Sequence, residues 1–130
     1  MIERLTQRWR RETAEQAAAV AAGTLPADEA YALTAFPPEF VAAVDTALEA
    51  YEREITGLEP RTDEAVWAAV ERVVVALNEA DLECGHPIET ITREELSEYI
   101  EEVLDEAGID VEALLERRGA DEAAGEWRDW

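Results

Sequence analysis

The chain has 130 residues, the usual size of one domain with one hydrophobic core, and its 48% apolar content argues against global disorder. Thirty-two acidic residues against eleven arginines and no lysine give a formal charge of −21, which disfavours nucleic acid and anionic membranes and favours basic partners. One cysteine cannot form an internal disulfide, and the opening MIERLTQRWRRE lacks an apolar signal core, so a reducing, cytoplasmic setting is expected.

Apolar residues recur at helical spacing nearly everywhere, and no stretch alternates at period two. A first helix is expected from Ile2 to Ala22, marked by Ile2, Leu5, Trp9 and Val20, with Gly23 supplying the left-handed residue that ends it. A short helix is expected around Ala27 to Leu33. Pro37 and Pro38 suit the first turn of the next helix, where a missing N–H costs nothing. That helix carries Phe40, Val44, Leu48, Tyr51, Ile55 and Leu58 on one side, and Gly57 and Pro60 stop it.

Thr62 or Asp63 can cap a fourth helix whose wide apolar face (Val66, Trp67, Val70, Val73, Val74, Leu77) marks it as the buried centre. A fifth helix is expected to start with a capping box, Thr92 at N-cap and Glu95 at N3, with Ile91 and Leu96 as a hydrophobic staple. Gly108 ends it. Asp110 caps a last helix with Val111, Leu114 and Leu115 inside and Gly119 after it. The expected fold is therefore all-α: a single-domain bundle of five or six helices over residues 1–119, followed by a polar tail, residues 120–130, with two tryptophans.

Chemistry concentrates in few places. The stretch ECGHPIET holds the only cysteine, Cys84, and the only histidine, His86. A structural zinc takes four ligands, mostly cysteine and histidine, and this chain supplies one of each. Surrounding acids disfavour a thiolate, and Gly85 and Pro87 read as punctuation between two helices. The stretch is therefore expected to be a turn, and no cofactor is indicated.

Glu94, Glu98, Glu101, Glu102 and Asp105 form an acidic stripe at helical spacing, relieved in sequence only by Arg93. A solvated face is the plainer reading; the functional one is docking of a basic or arginine-rich protein, with Trp127 and Trp130 either packing back onto the bundle, the default for tryptophan, or serving as further anchors. The arginines of RWRRE invite nucleic acid, but the negative body opposes it. They are expected instead to reach the acidic helices, with the Trp9 ring buried. The expected function is a non-enzymatic, acidic interaction module, in its sharper form an immunity-like inhibitor of a basic toxin such as a nuclease. A structural homodimer is an alternative.

Two resemblances bear on this. The run EELSE, with Glu94, Glu95 and Glu98, resembles the first half of the magnesium-binding motif of MazG-like nucleotide pyrophosphohydrolases, all-α enzymes whose second half, Glu-x-x-Asp, lies on another helix. That resemblance implies a magnesium-dependent hydrolase using those three carboxylates. The departure is that Glu102 to Asp105 lies on the same helix, and Glu126 to Asp129 in the tail. Separately, the parts ALN, IET and REELSEYI, within a segment covering about a third of the chain, resemble small actinobacterial helical proteins without assigned activity, which implies a cytoplasmic helical protein and no site residues.

Overall fold

The computed structural model describes residues 2–130 and is all-helical, with no strand among the described residues. Six α-helices follow in order: α1 (Leu5–Ala21), α2 (Tyr31–Ala35), α3 (Pro38–Thr56), α4 (Asp63–Glu83), α5 (Thr90–Glu106) and α6 (Val111–Arg118), with a 3-10 turn at Ala27–Glu29 before α2. None is long and apolar enough to cross a membrane.

The most extensive helix pairing is α3 against α4. From α3, Phe40, Val44, Leu48, Tyr51 and Ile55 are buried, and from α4, Val66, Trp67, Val70, Val73, Val74 and Leu77. These are the positions at which periodicity places the two apolar faces. Helix α1 packs on α2, α3 and α5, while α5 packs on α3 and α6. Trp9 is fully buried, its ring stacked 4.6 Å from Phe36 and 5.8 Å from Phe40.

Local chemistry sets several boundaries. Gly23 (φ +77°) ends α1 with paired return bonds, Thr24 N–H to Ala19 O and Gly23 N–H to Val20 O. Helix α3 starts at Pro38 after Pro37, as the missing donors require. Thr62 caps α4 by accepting the Ala65 N–H at 3.1 Å, and Asp110 caps α6 by accepting that of Ala113 at 3.1 Å.

Three expectations need correction. Helix α1 begins at Leu5, because Arg4 is extended and its side chain is drawn away to α3. The short helix is split, as a 3-10 turn to Glu29 and a five-residue helix from Tyr31. The capping box at Thr92 does not form: α5 starts three residues earlier, with Glu89 at N-cap and Thr92 buried in the first turn. Glu95 cannot serve as N3 partner because Arg8 and the Trp9 indole claim its carboxylate, and Ile91, the supposed staple residue, is 64% exposed.

Candidate functional site

The acidic stripe of α5 divides in two once the helix is packed. Glu94, Glu98, Glu102 and Asp105 are exposed, and their side chains make no hydrogen bond or ion pair with any described residue. Glu101 is half-buried and accepts the Ala123 N–H at 3.0 Å, so it holds the tail. Glu95 faces α1, where Arg8 Nη2 and Trp9 Nε1 (3.3 Å) both donate to its Oε2. The stripe is thus an outer face of four free carboxylates and one structural member, Glu101, while Glu95 beside it serves α1.

Every arginine is already committed within the chain. Arg4 donates twice to Glu52 (2.9 and 3.0 Å) and once to Asp45 (3.3 Å), fastening α1 to α3. Arg8 pairs with Glu95 and Glu12, Arg10 with Asp45, and Arg11 with Glu3 in its own segment rather than with an acidic helix. Arg53, Arg72, Arg117, Arg118 and Arg128 pair with Glu49, Glu54, Asp63, Glu126 and Glu122. Arg61 and Arg93 donate to the carbonyls of Ala107 and Trp130. The positive N-terminal segment is spent inside the fold.

Around Arg4 a polar network joins three helices. The buried Thr6 hydroxyl donates to Asp45 Oδ1 at 2.5 Å, and the Tyr99 hydroxyl donates to Glu52 Oε2 at 2.8 Å. Burial pushes the Asp45 carboxyl up, but the Thr6 hydroxyl, Arg4 and Arg10 outweigh it and hold the pKa below its ordinary value. Burial first, then the bond to Glu52 and its charge, pushes the Tyr99 phenol well up. Tyr51, buried and donating to the Ile100 carbonyl at 2.9 Å, is also pushed up, by burial and then by Glu101 and Glu54. Beside this network lies an open groove of about 500 Å³, lined by Ile2, Ile55, Val103 and Ala107 with Arg61 and Glu52 among its polar groups.

ECGHPIET is a turn, built around a residue outside the quoted letters. Asp81, buried on the last turns of α4, accepts the Ile88 N–H on Oδ1 at 2.9 Å and meets His86 Nδ1 through Oδ2 at 2.9 Å. Gly85 (φ +81°) and His86 (φ +61°) are both left-handed, and the His86 N–H returns to the Asp81 carbonyl at 2.7 Å. The Cys84 thiol is pushed up by burial and then by Glu39, Glu83 and Asp81, which suppresses the thiolate.

Trp127 and Trp130, expected as anchors or as packing groups, turn inward. Trp130 is 7% exposed, and Trp127 lies 6.0 Å from the Trp67 ring. The Arg118 guanidinium sits over both Trp67 (4.7 Å) and Trp127 (5.3 Å). Sequence reasoning missed Arg118, Asn78 and Arg93 as the residues that seat the tail; the only signal was two tryptophans in an otherwise polar end.

The residues present do not fit the magnesium cage implied by the MazG-like resemblance. Glu95 is taken by Arg8 and Trp9, and Glu126 by a two-point bond to Arg118. Among the described residues no group of three or more His, Cys, Asp or Glu side chains is arranged to hold a metal ion. Comparison of the chain with protein families, with curated proteins and with solved structures finds no match.

Proposed function

We propose that this protein is an acidic interaction module that binds a basic protein through the outer face of α5. The observation that carries the reading is the asymmetry of charge use: all eleven arginines are engaged intramolecularly, whereas Glu94, Glu98, Glu102 and Asp105 are exposed and unpaired. A helix that merely needed solubility gains nothing from placing like charges four residues apart, which costs about 0.2–0.5 kcal/mol per pair. The arrangement suits a partner whose lysines or arginines neutralise that face and whose approach is steered by the −21 body. An immunity-like inhibitor of a basic toxin, for example a nuclease, is the sharper form.

Immobilised protein exposed to native-host lysate tests the reading. At about 50 mM salt it should retain a protein of high isoelectric point, and at about 1 M salt, where the Debye length falls to about 3 Å, it should release it. No retained protein, or retention indifferent to salt, removes the proposal.

A further inference from the structure

Helices α4 and α5 are not among the strongly packed helix pairs. Residues 120–130 instead span them, and the grips on this segment mostly address its backbone. Asn78 of α4 uses both ends of its amide: Nδ2 donates to the Trp127 carbonyl at 2.9 Å and Oδ1 accepts the Asp129 N–H at 2.9 Å. On α5, Arg93 Nε donates to the Trp130 carbonyl at 3.0 Å and Glu101 accepts the Ala123 N–H at 3.0 Å. Contacts to backbone groups recognise the course of a chain whatever its side chains, here one of bends over residues 121–124 and a turn over 125–127, with register set by pockets for particular residues. Here those pockets take Ala123, Ala124 and Trp130, all buried, and the Trp67–Arg118 platform takes Trp127.

The resident segment fits its cleft imperfectly in two respects. The Trp130 indole N–H is buried without an acceptor, an unmet donor that penalises the seated state. Its charge is also wrong for its surroundings. Glu122 and Glu126 are neutralised by Arg128 and Arg118, but Asp121 and Asp129 are exposed and unpaired on a strongly acidic body.

We infer that the α4–α5 cleft is a peptide-binding cleft that the chain's own tail occupies in cis. Its trans ligand is a segment of a basic protein that follows the same bent course, with tryptophans three residues apart and lysine or arginine where the tail carries Asp121 and Asp129. The charge of that ligand rests on the reading given under Proposed function; the cleft itself rests on Asn78, Arg93, Glu101 and the seated tail.

The test uses the full chain, labelled with 15N, and a synthetic peptide of the 120–130 sequence with Asp121→Lys and Asp129→Lys. Because a tethered tail competes at an effective concentration of order millimolar, the titration must reach about that range. The cleft predicts saturable shifts of the Asn78 side-chain amide and the Trp130 indole N–H. It also predicts binding weaker by roughly threefold or more for the unmodified acidic sequence at low ionic strength, and none for the lysine peptide with both tryptophans changed to alanine. Shifts confined to Glu94, Glu98, Glu102 and Asp105, or no shift at all, would overturn the cleft; the first of these leaves the charge reading standing. Equal binding of the acidic peptide overturns the basic ligand. A particle mass that doubles with concentration while the same two signals shift, without peptide, overturns the trans partner in favour of a second copy. Cleft shifts without any salt-sensitive partner from lysate would instead remove the charge reading alone.

Discussion

Trp9 shows how much one side chain can organise. It sits on α1, stacks on Phe36 and Phe40, and donates its indole N–H to Glu95 of α5. Trp9→Ala should cost about 3–5 kcal/mol in equilibrium denaturation, the range for a fully buried large aromatic. Asp81 offers a sharper contrast. Asp81→Ala strands the buried Ile88 N–H and should cost about 1–3 kcal/mol. His86→Ala removes only a side chain that is 67% exposed and should change stability by about 0.5 kcal/mol or less. Equal losses in urea titrations would contradict this assignment of roles. Trp9 was legible in the sequence as an apolar mark on a helix. Asp81 was not, because in a chain with 32 acids nothing distinguishes the one whose backbone turns it inward.

At the scale of elements, periodicity located α3 and α4 because their apolar faces are wide and continuous, so burial alone decides them. It failed at the start of α5, where a well-formed capping pattern lost to tertiary contacts: Glu95 gains a cation and an indole donor from α1. The same long-range logic makes the helix contacts pH-dependent at both ends of the scale. Asp45 joins α3 to α1, and its folded pKa is depressed. Its contribution is therefore complete above the ordinary value of 3.8 and is lost as pH falls through the lower folded value. Thr6→Val should raise the midpoint of acid unfolding. Tyr51 and Tyr99 have folded values raised above the ordinary 10.0. Their contribution is complete below about pH 10 and is lost as pH climbs through the folded values. Melting temperature should fall above about pH 10 in the parent and fall less steeply in the variant Tyr51→Phe, Tyr99→Phe; parallel curves would contradict it.

The whole molecule is a helical bundle whose cations are consumed internally and whose surplus acids are left outside. The fold class follows from periodicity and helix punctuation, and the negative body from composition. Their division into a structural and a free set does not, since Glu101 is indistinguishable from Glu98 in the sequence, and Glu95, read there as a capping-box residue, goes to α1 only once the helices pack. The variant Glu94→Gln, Glu98→Gln, Glu102→Gln, Asp105→Asn removes the free acids of the α5 face alone. It should gain about 0.5–1.5 kcal/mol at low salt from relieved like-charge pairs, a gain that fades as salt is added. The most direct measurement of the central claim is the association rate of the captured basic partner with this variant and with the parent, across ionic strength. The proposal predicts fast, steeply salt-dependent association for the parent and a rate for the variant that is lower by about tenfold or more at low salt, converging at high salt. Identical rates and identical salt slopes for the two proteins would contradict it.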